Sequence, residues 1–230
     1  MLKAVILAGG RGERLKPLTD NLPKPMIEIN GRPFLEYQLR LLKQNKISEI
    51  LLCVGYLKDT ISAYFADGRK FGLRIEYSAE EGFLGTAGAL KAAARLLPQE
   101  FILLYGDSYL PIDYIKLVEV WKSAGCSGLV VCYDNALGIA ESNVYVGAGG
   151  WIESYSKLKP DGKVNYVEAG VSIFKKEILD LIPAGRPVSL EEEVFPVLIN
   201  ARQLKAYPTS QRYYDIGTLD GLEEIKGILR

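Results

Sequence analysis

The chain has 230 residues, of which 48% are hydrophobic and 24% charged, an ordinary composition for a globular protein with one large α/β domain. Its 28 basic and 28 acidic residues cancel, which excludes a general nucleic-acid binder with a basic excess. The absence of histidine excludes imidazole bases, His-based triads and His zinc ligands.

Short apolar runs predict buried strands at 2–7, 50–54, 101–105 and 129–133, and an alternating run predicts a strand at 73–77. Between them the apolar spacing predicts helices that begin near 33, 61, 85 and 112. The helix that begins at 85 is expected to continue to 97, before Pro98. This alternation predicts an α/β fold with a mostly parallel sheet that helices cover on both faces.

The second part of the chain has a different pattern. Strand-like runs at 144–146, 151–155 and 167–174 predict an antiparallel or mixed region laid on the core, and 219–229 is predicted to be helical. We interpret residues 1–230 as one domain with a first part at about 1–133 and a second at about 134–230. Nothing approaches the roughly 20 apolar residues of a membrane span.

Three cysteines, at 53, 126 and 132, show no metal-binding spacing. Two of them lie inside apolar runs, so we predict buried thiols. Met1 leads directly into the first strand without a signal sequence. These features together favour a cytoplasmic protein.

The loop after the first strand is unusually rich in glycine, proline and basic residues. It reads LAGGRGERLKPLTDNLPKPM from Leu7 to Met26. Glycines let backbone N–H groups approach phosphates, and Arg and Lys neutralise them. The run is not a P-loop, because it lacks G-x-x-x-x-G-K-[ST], and Leu15 breaks the dinucleotide fingerprint.

This segment resembles the signature of the sugar-1-phosphate nucleotidylyltransferase family, and in length the chain is similar to short bacterial-type members without a C-terminal extension. The resemblance implies a Rossmann-like three-layer α/β/α core whose first part binds the nucleotide and whose second part binds the sugar phosphate. It implies that Arg14 contacts the departing pyrophosphate and that Lys24 lies near the α-phosphate. The implied nucleotide-binding residues are Leu7, Ala8, Gly9, Gly10, Gly12, Arg14, Lys24, Glu80, Gly85 and Thr86.

Two aspartates at predicted strand ends are candidate metal ligands. Asp107 follows the strand at 101–105, and Asp215 precedes the last helix. Carboxylates at such positions suit a hard cation. Both resemble the family's magnesium ligands, so the resemblance implies a Mg²⁺ cofactor, with Arg14, Lys24 and Asp107 as the catalytic residues.

The resemblance also implies a sugar-phosphate side. It would be formed by Asn143, Lys157, Glu168 and Gly170. The pattern departs from the family at Ser156, where many members have an acidic residue before the lysine. Lys159 is close enough in sequence to be the alternative to Lys157 as the phosphate ligand.

The implied reaction joins a nucleoside triphosphate to a sugar 1-phosphate and releases pyrophosphate. Its nucleophile is already anionic, so neither a general base nor a covalent intermediate is required. The alternatives are a cytidylyltransferase that acts on a phosphorylated alcohol such as choline phosphate, and a glycosyltransferase that uses an activated sugar. Intact Arg14, Lys24, Asp107 and Asp215 argue against a silent regulatory subunit. We expect a monomer or small homo-oligomer that binds neither nucleic acid nor membrane.

Overall fold

A computed structural model describes residues 2–136, 138, 140–156 and 164–229. The strands are β1 (Lys3–Ala8), β2 (Glu28–Ile29), β3 (Arg32–Pro33), β4 (Glu49–Val54), β5 (Arg74–Ala79), β6 (Glu100–Tyr105), β7 (Ser108–Tyr109), β8 (Gly128–Tyr133), β9 (Val144–Val146), β10 (Ile152–Tyr155), β11 (Val167–Lys175), β12 (Leu204–Thr209) and β13 (Tyr214–Asp215). The α-helices are α1 (Phe34–Gln44), α2 (Lys58–Phe65), α3 (Gly85–Ala92), α4 (Tyr114–Ala124), α5 (Phe195–Asn200) and α6 (Leu219–Ile228).

Seven strands form the central sheet, in the order β12-β8-β11-β6-β1-β4-β5. Strand β1 lies in the middle and pairs in parallel with β4 on one side and β6 on the other. The predicted mostly parallel α/β sheet is therefore confirmed. Its parallel strands bring the loops after β1, β4 and β6 to one edge, where open α/β sheets bind their ligands.

Strand β11 differs from the expectation that the later strands are laid on the core. It lies inside the central sheet, antiparallel to both β6 and β8. Of the three strands predicted in this part of the chain, only β9 and β10 form a separate antiparallel pair. The run at 167–174 is almost continuously apolar, as expected for a strand covered on both faces. That pattern gave no indication of which neighbours it would pair with.

The two faces of the sheet have different helical covers. On one face, side chains of β1 and β4 pack against α1, α2 and α4. On the other face they pack against α3 and α5. Each fully buried Leu, Ile or Phe in these layers contributes roughly 1.5–3 kcal/mol relative to an exposed side chain.

A third apolar cluster fixes the glycine-rich loop. Leu15 and Ile27 pack with Ile216, Leu222 and other residues near the end of the chain. The cluster therefore joins the loop after β1 to the segment that carries Asp215. This contact brings residues about 200 positions apart in sequence to the same edge of the sheet.

Some boundaries and elements differ from the sequence predictions. Helix α3 ends at Ala92 rather than 97, because the chain continues in short turns such as the Leu96 N–H to Ala93 carbonyl bond of 2.8 Å. The sequence did not indicate β12, which contains Pro208. Since β12 is an edge strand of the sheet, a residue without an N–H is tolerated there.

The cysteine prediction is confirmed: all three thiols are free and buried. Burial, and then the nearby Glu80 carboxylate, raises the pKa of Cys53 to about 12. In the described part of the chain, none of the helices has the length and apolar character that a membrane crossing requires.

Candidate active site

The candidate site begins where β1 and β6 end side by side. Gly106 follows β6, and its N–H donates to the Leu7 carbonyl at 2.9 Å. A Cβ at position 106 would lie only 2.7 Å from that same oxygen. A glycine is therefore required here, and the close approach aligns Asp107 with the loop after β1.

The glycine-rich loop folds back on itself before it reaches Lys24. Gly12 has a φ of 65°, and a Cβ there would lie 3.0 Å from Thr19 and 3.1 Å from the Lys24 Cβ. The Thr19 hydroxyl donates to the Gly12 carbonyl at 2.9 Å. The fold leaves a cavity of about 290 Å³, lined by Leu7, Ala8, Gly10, Gly12, Glu13, Arg14, Lys24, Pro25, Gly106 and Asp107.

Lys24 is held at the floor of this cavity. It lies between Pro23 and Pro25 in a short 3-10 turn and is only 8% exposed. Its Nζ donates to Asp107 Oδ2 at 2.7 Å. A lysine is rarely buried without a partner, so the ion pair compensates for the loss of hydration. Lys24 and Asp107 are thereby fixed together.

Asp215 joins this pair through a short two-stranded ribbon. In the pairing of β7 with β13, Asp215 lies opposite Ser108, and the Ile216 N–H donates to the Asp107 carbonyl at 3.0 Å. The Gly217 N–H donates to an Asp215 carboxylate oxygen. Asp107 and Asp215 thus come from distant segments but share one edge.

Gly217 marks the point where the charged side chains converge. A Cβ at this glycine would lie 2.5 Å from Asp215 Oδ1, 2.7 Å from Arg14 Nη2 and 3.2 Å from Lys24 Nζ. Lys24 in turn contacts Asp107, so two cations and one carboxylate lie around this glycine and a second carboxylate is paired to one of those cations. Any larger residue at 217 would occupy the space between them.

The two carboxylates form a donor set that suits Mg²⁺. Burial, and then the charge of Asp107, raises the pKa of Asp215, while the charges of Lys24 and Arg14 lower it. Mg²⁺ is commonly bound by one or two carboxylates, with phosphate oxygens and waters completing its shell. The described residues include no cluster of three or more His, Cys, Asp or Glu side chains that could enclose a metal alone.

A second cavity, of about 210 Å³, lies beside the glycines at the ends of β1 and β4. It is lined by Gly9, Arg11, Gly55, Tyr56, Glu80, Glu81, Gly82 and Phe83. A Cβ at Gly9 would lie 3.0 Å from Glu80 Oε1, so the carboxylate faces the loop closely. Burial raises the pKa of Glu80, and a hydrogen bond from the Leu84 backbone opposes this shift. Phe83, at the rim, is 71% exposed.

The start of α3 contacts the C-terminal half of the chain. Gly85 has a φ of 72°, and a Cβ there would lie 2.5 Å from the Val188 carbonyl oxygen. The Thr86 hydroxyl donates to Glu191 and accepts from the Leu190 N–H, both at 2.8 Å. The Thr86 side chain is therefore engaged within the protein, and only its backbone remains for the nucleotide contact expected from the sequence.

The predicted sugar-phosphate residues lie next to the Asp107 turn. Gly170 has a φ of 76°, and a Cβ there would lie 2.6 Å from the Ser108 Cβ. Its N–H donates to Glu168 Oε1 at 2.8 Å, and the Glu168 N–H donates to Asn143 Oδ1 at 2.9 Å. Asn143, Glu168 and Gly170 thus form one linked group. Lys157 and its alternative Lys159 lie outside the described residues.

Sequence reasoning missed two buried polar residues near the site. Gln38 donates from Nε2 to the Tyr105 carbonyl at 2.8 Å and to the Ser108 carbonyl at 2.6 Å, on either side of Asp107. Glu191 is the first of three consecutive glutamates, a pattern that usually indicates a solvated surface. The preceding Ser189, which caps this turn, was the available signal that the segment is structured.

This chain is similar to known proteins over nearly its whole length. Residues 3–229 match the model of the family described as nucleotidyl transferase. The chain is 31% identical over 248 aligned positions to a UTP–glucose-1-phosphate uridylyltransferase of Synechocystis, with 99% of this chain and 63% of the relative covered. It is 32% identical to mannose-1-phosphate guanyltransferase 2 of Candida glabrata, with 94% of this chain and 61% of the relative covered.

A solved structure extends the similarity to the whole fold. HddC from Yersinia pseudotuberculosis, crystallised in complex with GMP-PN, superposes with a TM-score of 0.83 at 25% identity, and each chain is covered completely. By contrast, this chain spans only 63% and 61% of the length of the two curated relatives.

Proposed function

The chain belongs to the nucleotidyl transferase family, and from this premise we propose that it transfers a nucleotidyl group from a nucleoside triphosphate to a sugar 1-phosphate. The products are a nucleoside diphosphate sugar and pyrophosphate. Both curated relatives named above are transferases of this kind by name, acting on glucose 1-phosphate or mannose 1-phosphate.

One observation carries the proposal: the convergence of Arg14, Lys24 and Asp215 around Gly217, with Asp107 paired to Lys24. A triphosphate and a sugar phosphate together bring several negative charges into one pocket. Two preorganised cations, with a carboxylate pair that can hold a divalent cation, match that demand. A glycosyltransferase that uses an already activated sugar has no triphosphate to neutralise at Arg14 and Lys24.

In the proposed reaction, an oxygen of the sugar phosphate attacks the α-phosphorus in line. The new P–O bond forms as the bond between the α-phosphorus and the bridging oxygen of the β-phosphate breaks, and pyrophosphate leaves with the bonding electrons. The nucleophile is already anionic, so no proton need be removed. A chain without histidine can perform this chemistry by positioning and charge neutralisation.

The roles of the side chains follow from their depth in the site. Lys24, buried at the cavity floor, neutralises charge that develops at the α-phosphate. Arg14, on the exposed loop, binds the departing pyrophosphate through a guanidinium suited to phosphate oxygens. Asp107 and Asp215 would hold Mg²⁺, which would supply further neutralisation of the phosphate oxygens.

We further propose that guanine is the preferred base. Glu80 presents a carboxylate to the cavity beside Gly9. Guanine alone offers two adjacent donors on its pairing edge, N1–H and N2–H₂, which one carboxylate can accept together. Adenine and cytosine have an acceptor nitrogen beside their amino donor. Uracil and thymine have one N–H donor between two carbonyls. In each of these bases an acceptor lone pair would face the Glu80 carboxylate and repel it.

A pyrophosphate-release screen tests the function. The common nucleoside triphosphates are paired with glucose, mannose and heptose 1-phosphates and with choline phosphate, with Mg²⁺ present or excess EDTA. We expect release only when triphosphate and sugar phosphate are both present, with GTP the best donor. Release with choline phosphate alone would favour the alcohol-phosphate alternative, and release without an acceptor would contradict the transferase proposal.

A single variant tests the base assignment separately. Glu80→Gln replaces one acceptor oxygen with an amide donor, so the kcat/KM ratio of GTP to UTP should fall by about tenfold or more, as for loss of a hydrogen bond to a charged group. Glu119→Gln removes the same charge at an exposed position of α4, outside this cavity, and serves as the control. An unchanged ratio in Glu80→Gln would remove Glu80 from base selection.

A further inference from the structure

Glu191 is a buried carboxylate that the proposed reaction does not use. It lies on the π-helical turn Leu190–Val194 and is only 5% exposed. Its Oε2 accepts from the Thr86 hydroxyl at 2.8 Å and from the Ser189 hydroxyl at 2.7 Å. Its Oε1 accepts from the Tyr105 hydroxyl. Three hydroxyl groups from three segments therefore meet on one side chain.

This arrangement keeps the carboxylate ionised. Burial raises the pKa of Glu191, but hydrogen bonds from Tyr105, Ser189 and Thr86 outweigh burial and leave that pKa below its usual value. Charge-assisted bonds of this kind are stronger than neutral ones.

Two of the three donors belong to segments that carry the candidate nucleotide and metal residues. Tyr105 ends β6 two positions before Asp107. Thr86 is the second residue of α3, directly after Gly85. Backbone bonds reinforce the second link, since the Ala87 N–H donates to the Val188 carbonyl at 3.0 Å and the Val188 N–H to the Leu84 carbonyl at 2.8 Å.

We propose that Glu191 is a positioning residue that sets the distance between the metal-bearing end of β6 and the nucleotide-bearing start of α3. It acts through Tyr105 and Thr86 and touches neither substrate nor metal. The inference rests on the proposed function, because the two segments need a fixed separation only if they hold parts of one nucleotide. A misplacement of about 1 Å at such a site can cost about a hundredfold in rate.

The test compares Glu191→Gln with the matched control Glu192→Gln, whose side chain is exposed. The amide keeps one acceptor oxygen and replaces the other with an NH₂ donor, so at least one of the three hydroxyls loses its acceptor. We expect Glu191→Gln to raise the Kd for the nucleoside triphosphate about tenfold and to lower kcat about tenfold. Its Tm should stay within about 5 °C of the control. Kinetics equal to the control, or a loss of Tm alone, would overturn the proposal.

Tyr105→Phe provides a second route if Glu191→Gln does not fold. It removes one donor and leaves the carboxylate in place, and we expect a similar rise in Kd and fall in kcat. In the double variant the effects should not add, because both changes break one link. Additive effects, or an unaffected Tyr105→Phe, would overturn the proposal. Calorimetry measures nucleotide binding without turnover, so failure here is distinguishable from absence of the proposed reaction.

Discussion

The nucleotide side and the sugar-phosphate side of the candidate site are built in different ways. The phosphate-binding part of the proposed nucleotide side is one continuous loop, from Leu7 to Met26, whose glycines and prolines fix its own path. The proposed sugar side is assembled from Asn143, in the loop before β9, and from Glu168 and Gly170 on β11, linked through backbone N–H bonds. A site made of one segment can be recognised in a sequence, whereas a site made of several depends on tertiary packing.

Loss of either carboxylate of the Asp107/Asp215 pair should have the largest effect on turnover. Asp107 contacts Lys24 of the glycine-rich loop, and its neighbour Ser108 contacts Gly170 of the proposed sugar side. Asp107→Asn or Asp215→Asn should each lower turnover by about three orders of magnitude. Each variant leaves only one carboxylate to bind a divalent cation. Steady-state pyrophosphate release measures this, with circular dichroism to check the fold. Asp220→Asn, an exposed position in α6, is the control. Near-normal turnover of Asp107→Asn, or full activity in EDTA, would contradict the magnesium site.

Lys24 should follow, at the nucleotide side. Lys24→Ala should lower kcat by about two to three orders of magnitude, since loss of one preorganised donor to developing charge costs about 3–4 kcal/mol. Lys16→Ala removes a lysine of the same loop whose side chain is 59% exposed and should change kcat only slightly. Equal and mild effects at the two lysines would mean that the loop is merely a solvated basic surface.

On the sugar side, Lys157 gives the sharpest contrast. Lys157→Ala should raise KM for the sugar phosphate about tenfold, as for loss of a charge-assisted bond, and should leave KM for the triphosphate nearly unchanged. Substrate-variation kinetics at saturating partner concentration give both constants. Lys159→Ala is the paired variant. If only Lys159→Ala raises KM for the sugar phosphate, Lys159 rather than Lys157 is the phosphate ligand. If Lys157→Ala raises KM for the triphosphate more than KM for the sugar phosphate, Lys157 belongs to the nucleotide side.

The smallest expected effect concerns Phe83 at the rim of the base cavity. Stacking of a base on an aromatic ring contributes about 1–3 kcal/mol, and this ring is 71% exposed, so Phe83→Ala should raise KM for the triphosphate about fivefold, the low end of that range, with kcat little changed. Phe83→Tyr keeps the ring and should behave like the parent. Val197→Ala, an exposed apolar position on α5, serves as the control. An unchanged KM would show that the exposed ring does not contact the base.

The contrast also explains what the sequence could predict. The central strands could be predicted because each is a short apolar run. Gly12, Arg14 and Lys24 could be proposed as site residues because they lie in one short segment whose glycines and prolines define the path of its backbone. The insertion of β11 between β6 and β8 was not visible, since an apolar run does not specify its partners.

Side-chain partners within the site were the least predictable. Thr86 was expected to bind nucleotide, yet its hydroxyl contacts Glu191, a residue 105 positions away. Glu191 itself belongs to a run of three glutamates, of which only this one is buried. Orientation of one carboxylate in such a run is decided by the hydroxyls that surround it in the folded state.

The central claim is that nucleotidyl transfer occurs in one direct step at the site where Arg14, Lys24, Asp107 and Asp215 converge. The most direct test uses a nucleoside triphosphate with a chiral α-phosphorothioate and follows the configuration at the α-phosphorus in the product sugar nucleotide. A single in-line displacement predicts inversion. Retention of configuration would require two displacements through a covalent enzyme intermediate and would contradict the account.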